Sequence, residues 1–373
     1  MVLETRLTKE LGMKVPIFLS GMGPFSTYKT AVKVSNAGGC GLTSHWGILT
    51  PVDPETHYID RENGVMITPG EKMKFDLEYF EKNLEDDRVF GCNIRVARIQ
   101  TDAPRVIRQV LKKRLDSRKI RESLKVLVTS AGNPMTAQKI LEKDKFYIDG
   151  KKDILHFHVS PSLALCQNTL KAGCDGVIAV GYEGGGHQSY EGITTSVLIP
   201  ETREWIDAEC PEKYLIAGGG FFNGRTLASA MALGAEAVQM GTRFIASTDG
   251  DFHPNYKEAI LKAKDEDTLM CSGAFGPIRL LKNEYALSHS SILSKEEKIK
   301  QEKELGTKDD MTQQLMDDMR RYDLVYEGDI EHGAVLVGQT VGGIHTLKSV
   351  AQIVSDIEKE AADTIKKLQS AIK

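Results

Sequence analysis

Two apolar segments that both run into glycine, about one helix apart, constrain the fold of this chain more than any other feature. The first, Leu215–Gly220, reads LIAGGG, and the second, Ala237–Phe244, reads AVQMGTRF. Between them, Asn223–Gly234 (NGRTLASAMALG) is typical of a loop followed by an Ala-rich helix. Backbone N–H groups at two adjacent strand ends form a cradle for phosphate, and glycine lets the ligand approach closely. In a (β/α)₈ barrel, phosphate usually binds at the loops after strands 7 and 8.

Eight apolar, β-branched runs recur along the chain with helix-like stretches between them. Several are continuously apolar, as expected for parallel strands covered on both faces. The predicted strands are Val15–Ser20, Cys40–Ser44, Val89–Ile94, Val126–Ser130, Ile154–Val159, Val177–Gly181, Tyr214–Ala217 and Ala237–Gly241. The predicted helices are Thr27–Asn36, Ala103–Leu115, Pro134–Lys143, Ser162–Ala172 and Gly224–Leu233. This alternation, with the phosphate-type pair last, predicts an α/β fold, a (β/α)₈ TIM barrel, over residues 1–250.

Two stretches depart from the strand–helix alternation. Residues 45–75 are rich in polar and turn residues, and we predict a long loop over the active site at the C-terminal end of the barrel. Residues 251–347 are predicted to form a mostly helical subdomain that packs on the barrel. It includes a charged helix at Ser294–Lys303 and an amphipathic segment at Met311–Arg321. Residues 348–373 are predicted to form a C-terminal helix.

The composition excludes several classes of protein. The 373-residue chain is 41% hydrophobic and 27% charged, with a formal net charge of −4, so we expect neither nucleic acid nor a membrane surface as a partner. No apolar run reaches the ~18 residues of a membrane span, and Met1–Lys14 lacks a signal-peptide core. The six cysteines form no C-x-x-C pair and no zinc-type cluster with histidine. We therefore expect a cytoplasmic protein without a metal site or a disulfide framework.

A histidine follows the sixth predicted strand, in the segment Gly181–His187 (GYEGGGH). The three glycines supply no packing wall and let a ligand approach, so His187 is poorly placed to be a core residue. Histidine titrates near neutral pH and can act as a base or an acid. The alternative is a loop histidine that only bonds to the backbone. The barrel face that His187 shares with the phosphate cradle favours the functional interpretation.

Small or amide-bearing residues follow other predicted strands at the same rim, in Ser20–Gly23, at Asn93 and in Ser130–Pro134. The Asn93 amide could bond to a ring nitrogen or carbonyl. Met22 lies between glycines, which favours contact with a flat aromatic ligand over a role as core filler. No G-x-G-x-x-G follows a strand, so a Rossmann domain is not expected. The residues alone indicate a compact phosphate-bearing ligand in a barrel, for which flavin mononucleotide (FMN) is suitable.

Several motifs together carry a family resemblance that covers most of the chain. They are Val34–Leu42, Phe90–Asn93, Glu183–His187, Ile216–Gly220, Gln239–Phe244, His253–Lys257, Glu327–Asp329 and Val337–Gln339. With them the sequence resembles the nitronate monooxygenase (2-nitropropane dioxygenase) family, which includes flavin-dependent enoyl-acyl-carrier-protein reductases. The chain departs from the family pattern at Val180, where glutamine is usual, at Gly184, where alanine is usual, and in the longer 45–75 segment.

The resemblance implies a barrel that binds FMN non-covalently. It places Met22 and Gly23 beside the isoalloxazine ring and makes His187 the catalytic base of nitronate oxidation. The residues that it implies in FMN binding are Asn93, Gly185, Gly219, Gly220, Gln239, Met240, Gly241 and Thr242.

Three functions are compatible with these residues. The first is oxidation of alkyl nitronates through flavin and dioxygen. The second is enoyl-thioester reduction, with NADH or NADPH as electron donor and a substrate carried on acyl carrier protein or coenzyme A. The third is an FMN-binding sensor without catalysis, which the rim position of His187 disfavours. The sequence leaves open a homodimer.

Overall fold

The structure, a computed structural model, describes most of the chain. The described residues are 3–22, 27–45, 49–53, 57–60, 64–97, 102–143, 153–273, 276–292, 294–304 and 320–372.

The strands of these residues form a parallel barrel and two small antiparallel sheets. In chain order they are β1 (Ile17–Leu19), β2 (Gly41–Ser44), β3 (Leu49–Asp53), β4 (His57–Asp60), β5 (Met66–Ile67), β6 (Phe90–Arg95), β7 (Leu124–Ser130), β8 (Leu155–Ser160), β9 (Gly176–Val180), β10 (Gly186–His187), β11 (Tyr214–Gly218), β12 (Ala237–Met240), β13 (Thr268–Gly273) and β14 (Gly276–Leu281). The parallel sheet has the order β1-β12-β11-β9-β8-β7-β6-β2. Its two edges meet where the Leu19 N–H donates to the Cys40 carbonyl at 2.9 Å. All eight predicted runs are therefore strands of one TIM barrel, and the predicted fold class is confirmed.

Helices follow most barrel strands and cover the outside of the sheet. They are α1 (Arg6–Leu11), α2 (Tyr28–Asn36), α3 (Pro69–Asn83), α4 (Ala103–Asp116), α5 (Arg118–Ser123), α6 (Met135–Leu141), α7 (Leu163–Lys171), α8 (Thr195–Glu209), α9 (Gly224–Ala232), α10 (Thr242–Ile245), α11 (Pro254–Lys262), α12 (Glu284–Ser288), α13 (Lys295–Glu304), α14, of which residues 320–327 are described, and α15 (Val350–Gln369). The five helices predicted in the barrel are present as α2, α4, α6, α7 and α9. The structure adds α8, which contains Pro200, a residue type that usually ends helices. Among the described helices, none is long and apolar enough to cross a membrane.

The side chains of the barrel strands alternate between two hydrophobic layers, as the two-residue period of a strand requires. Phe157, Ile178 and Ile216 belong to the cluster that fills the barrel interior. Their neighbours Val177 and Leu215 pack outward against the helices, in the larger cluster. Consequently the last inward-facing residue of each strand lies at the C-terminal rim, where a ligand can reach it.

Segment 45–75, predicted to be a loop, contains regular structure in its described residues. Strands β3, β4 and β5 pair as an antiparallel sheet, and α3 begins at Pro69. The loop prediction is therefore wrong for these parts. The Thr68 side chain accepts from the Glu71 N–H, and the Glu71 carboxylate accepts from the Thr68 N–H at 2.7 Å. This capping box, with Pro69 at the first helical position, is a helix-start signal that the sequence contains.

The residues after the barrel add a second packing unit. Strands β13 and β14 form an antiparallel hairpin, and β10, which contains His187, pairs with β14. Residues 251–347, predicted to be mostly helical, thus also carry sheet structure, and part of the Met311–Arg321 prediction lies outside the described residues. Helix α15 packs on α9, where the Gly224 N–H donates to the Glu360 carboxylate at 2.9 Å.

A buried ion pair joins α3 to the barrel. Lys72 and Asp76, one helical turn apart, form a salt bridge in which both side chains are almost fully buried. Thr43 of β2 donates to the second Asp76 oxygen at 2.6 Å, and the Lys72 ammonium lies 4.4 Å from the centre of the Tyr28 ring. Each charge is therefore compensated, so loss of one partner leaves the other buried and unpaired.

We predict that Lys72→Met lowers the free energy of unfolding by about 3–5 kcal/mol, because Asp76 keeps its charge without a cation. Urea denaturation followed by circular dichroism measures this. Lys74→Met, on the exposed face of the same helix, removes a solvent-exposed pair with Glu78 and should show only the small effect of a surface salt bridge. Equal effects of the two substitutions would contradict a stabilising role for the buried pair.

Candidate active site

A cavity of about 1040 Å³ opens at the C-terminal rim of the barrel. It lies against the ends of the barrel strands and the glycine-rich segment before His187. The structure brings together nine of the eleven residues that the sequence predicts for the site: Met22, Asn93, Gly185, His187, Gly219, Gly220, Gln239, Gly241 and Thr242.

Of the other two predicted residues, Met240 is described and does not line this cavity. The Met240 side chain is 1% exposed and packs in the hydrophobic layer between the barrel and its helices. The strand period explains this, because Gln239 faces inward and its neighbour must therefore face outward. Gly23 lies outside the described residues.

The ends of β11 and β12 form an open cradle of glycines. Gly219 and Gly220 adopt φ values of +81° and +86°, which side-chain-bearing residues rarely adopt. A Cβ on Gly219 would lie 2.7 Å from the Gly181 carbonyl oxygen, so a larger residue cannot fit there. A Cβ on Gly241 would lie 3.3 Å from the Met22 sulfur, which places Met22 beside this cradle. The backbone is thus open to a ligand at the place where barrels of this type bind phosphate.

Gln239 directs a buried amide into the same region. The residue is 7% exposed, and its Nε2 has no hydrogen-bond acceptor among the described residues. A buried donor without a partner costs about 1–3 kcal/mol, so this amide favours a ligand that supplies an acceptor. Phosphate and flavin carbonyl oxygens both meet that requirement.

The segment that carries His187 is held from both sides. Arg279 of β14 donates from Nη2 to the Tyr182 carbonyl at 2.9 Å, and its guanidinium stacks on the Tyr182 ring at 4.7 Å. The Glu183 carboxylate accepts from the Thr195 N–H at 2.9 Å, at the N-terminus of α8, where a negative charge is favourable. These contacts fix a glycine-rich loop that would otherwise be free to move.

Burial and a neighbouring cation keep the His187 imidazole neutral. The Nε2 atom is buried although the residue as a whole is partly exposed. Burial, reinforced by the positive charge of Arg95, lowers the pKa of His187 to about 3. The neutral ring can therefore accept a hydrogen bond at physiological pH. An anion beside the ring would raise this pKa again.

Arg95 is a cavity residue that the sequence interpretation missed. It lies two residues after Asn93 in β6, pairs in register with Ser130 of β7 and lines the cavity. The two-residue period of a strand, applied to Asn93, would have placed Arg95 on the same inward face. His158, on β8, was missed as well, and burial lowers its pKa to about 4.

Comparison with known proteins identifies the family. The model of the family described as nitronate monooxygenase matches residues 4–360. The chain belongs to the nitronate monooxygenase family. It is accordingly an oxidoreductase, and the family consists of flavin enzymes that generally use FMN. The resemblance described from the motifs is thereby confirmed.

Three relatives illustrate the breadth of the family. A probable nitronate monooxygenase from Staphylococcus saprophyticus is 29% identical over 294 residues, which cover 76% of this chain and 80% of that protein. The (3aS,4S,5R,7aS)-5-hydroxy-7a-methyl-1-oxo-octahydro-1H-indene-4-carboxyl-CoA dehydrogenase from Rhodococcus jostii is 29% identical over 294 residues, covering 77% and 69% respectively. The solved structure of FabK from Thermotoga maritima superposes with a TM-score of 0.72 at 31% identity, covering 99% of this chain and all of that one.

We predict that the protein loses stability steeply in mild acid because three histidines are held neutral. Burial lowers the pKa values of His45 and His187 to about 3 and that of His158 to about 4. The unfolded chain binds protons at these residues below about pH 6.5, while the folded protein does not. The free energy of unfolding therefore keeps its full value above that pH and falls as the pH drops below it. Each histidine contributes about 1.4 kcal/mol per pH unit, or about 4 kcal/mol per unit for the three.

Urea denaturation at a series of pH values between 4.5 and about 8 measures this slope. His187→Asn should lower the slope by the contribution of one proton, whereas His345→Ala, at an exposed histidine, should leave the slope unchanged. An unchanged slope in His187→Asn would contradict the neutral state of His187.

Proposed function

We propose that this protein oxidises alkyl nitronates with FMN bound across the mouth of the barrel. The observation that carries the proposal is that a buried, neutral His187 shares one cavity with the glycine ends of β11 and β12. The names of the Staphylococcus saprophyticus relative and of the family support the choice of substrate.

The residues of the cavity fit FMN. Gly219, Gly220, Gly241 and Thr242 would hold the phosphate, and the Gln239 amide would donate to the cofactor. Four further residues would contact the cofactor at its isoalloxazine ring: Met22, Gly23, Asn93 and Gly185. When bound, FMN supplies an acceptor for substrate electrons, which dioxygen then removes.

His187 would act on the proton of the substrate. If the neutral nitroalkane binds, the imidazole can take the acidic proton from the carbon next to the nitro group and so form the nitronate. If the nitronate itself binds, the ring can hydrogen-bond to one of its oxygens. The negative charge left on the substrate favours the protonated ring, so the proton stays on His187 beside the anion.

Reduction of an enoyl thioester with NADH or NADPH is the second candidate. The cavity continues past the rim along α7 to Leu165 and Asn168 and reaches Lys295, so it has room for a long substrate arm. The name of the Rhodococcus jostii relative includes a coenzyme A thioester.

Anaerobic mixing with the FMN-loaded protein distinguishes the two candidate functions. Bleaching of the flavin by propyl nitronate but not by NADH supports nitronate oxidation. Bleaching by NADH, followed by reoxidation with a crotonyl thioester, supports the reductase.

We predict that His187→Ala retains FMN but slows anaerobic flavin reduction by neutral nitropropane about 10²–10⁴-fold, because the base that removes its acidic proton is lost. Stopped-flow absorbance measures this rate. His332→Ala makes the same change at an exposed histidine outside the cavity and should react at the wild-type rate. A wild-type rate in His187→Ala would exclude a catalytic role for His187.

We predict that Gly241→Val folds but loses FMN on dialysis, with Gly241→Ala intermediate. A Cβ at position 241 would lie 3.3 Å from the Met22 sulfur and 3.4 Å from the Ser20 Cβ. The flexible methionine can adjust, so we expect the substitution to fill cavity space rather than strain the backbone. The flavin absorbance retained per protein after dialysis is the measurement. Full retention by the valine variant would contradict phosphate binding at this cradle.

A further inference from the structure

The Arg95 side chain supplies positive charge inside the cavity. Arg95 is the last residue of β6, faces inward like Asn93 and is partly buried. Among the described residues that line the cavity, the other cation is Lys295, which is exposed on α13. Of these two cations, Arg95 is therefore the one at the barrel rim.

A histidine–aspartate pair fixes the strand end that carries Arg95. The Arg95 N–H donates to His45 Nδ1 at 3.3 Å, which leaves the His45 proton on Nε2. That nitrogen lies 3.8 Å from Asp102 Oδ2, and the His45 side chain is 1% exposed. The backbone of Arg95 is thus held by a buried group, while its side chain extends into the cavity.

The charge of Arg95 reaches several groups around the cavity. It lowers the pKa values of His45 and His187, in both cases after the larger effect of burial. Burial raises the pKa of Asp102, and the charge of Arg95 partly opposes that rise. Arg95 and the imidazole assigned to proton transfer line the same cavity. An anion that contacts Arg95 would therefore lie in the cavity that holds His187.

We propose that Arg95 binds the substrate as a planar anion with two oxygens, through two parallel N–H···O hydrogen bonds. A guanidinium presents its donors as a rigid fork that matches a carboxylate. A nitronate has the same shape, because two oxygens on one nitrogen share the negative charge. The identification of the anion as a nitronate rests on the proposed function, whereas recognition of a two-oxygen anion follows from Arg95 itself.

The remaining ionisable residues of the cavity support this assignment. The Glu183 carboxylate is engaged by Thr195 at the start of α8, and Glu191 is exposed. Burial lowers the pKa of His158, so that ring adds no charge at neutral pH. Among the described residues, Tyr190 and Tyr256 complete the ionisable side chains that line the cavity.

Binding of propanoate, a stable carboxylate of nitronate shape, to the flavin-loaded protein tests the proposal by isothermal titration calorimetry. Arg95→Met should weaken binding about 10–100-fold, the equivalent of one charged hydrogen-bonded contact. Arg95→Lys keeps the charge but loses the fork, and should weaken binding about 10-fold. Lys295→Met, which removes the other cation, should stay within about 2-fold of wild type.

Three outcomes would overturn the proposal. They are wild-type affinity for propanoate in both Arg95 variants, absence of propanoate binding to the wild type, and an equal loss of affinity in Lys295→Met. If Arg95→Met fails to fold, Arg95→Lys still decides the outcome. Propanoate binding through Arg95 without nitronate turnover would refute the proposed function and leave this inference intact. If nitronate turnover is unaffected in the Arg95 variants, this inference is refuted and the proposed function stands.

Discussion

Closure of the parallel sheet, in which β1 bonds to the residue before β2 on one side and to β12 on the other, is the constraint on which the rest of the structure depends. The Ser20 N–H donates to the Met240 carbonyl at 2.9 Å, which joins two residues from opposite ends of the barrel sequence. Closure also sets the strand ends in a ring at one rim, because all of its strands run in the same direction. The glycine cradle, Gln239 and Asn93 are neighbours only for this reason.

The site depends equally on residues beyond the barrel. His187 pairs with Ile278 of β14, and Arg279 of the same strand anchors the Tyr182 carbonyl. The hairpin thus converts a run of three glycines, which has little conformational preference of its own, into a defined support for one imidazole. It also helps to bury that imidazole, and burial is the main reason for its low pKa.

Much of the barrel and of the cradle could be predicted because their signals are local and repeated. Apolar runs of strand length, helical stretches between them and glycines at the strand ends do not depend on distant contacts. The prediction of the site residues was less complete. Met240 was assigned by motif although the strand period turns it away from Gln239, and Arg95 was passed over although the same period turns it inward. The polar, turn-rich composition of the segment predicts a loop, although the capping box before Pro69 is a readable signal for the start of a helix.

By itself, the sequence determined the fold class, the family and the strand ends where a ligand meets the protein, since periodicity and glycine placement act over a few residues. Only the tertiary structure decided the electrostatics of the site. Three properties depend on burial and on distances between residues far apart in the chain. They are the neutral state of His187, the lack of an acceptor for the Gln239 amide, and the set of groups whose pKa values the charge of Arg95 changes. Those quantities exist only once the barrel has closed and β14 has packed beside β10, because desolvation and Coulomb interactions act through space and not along the sequence.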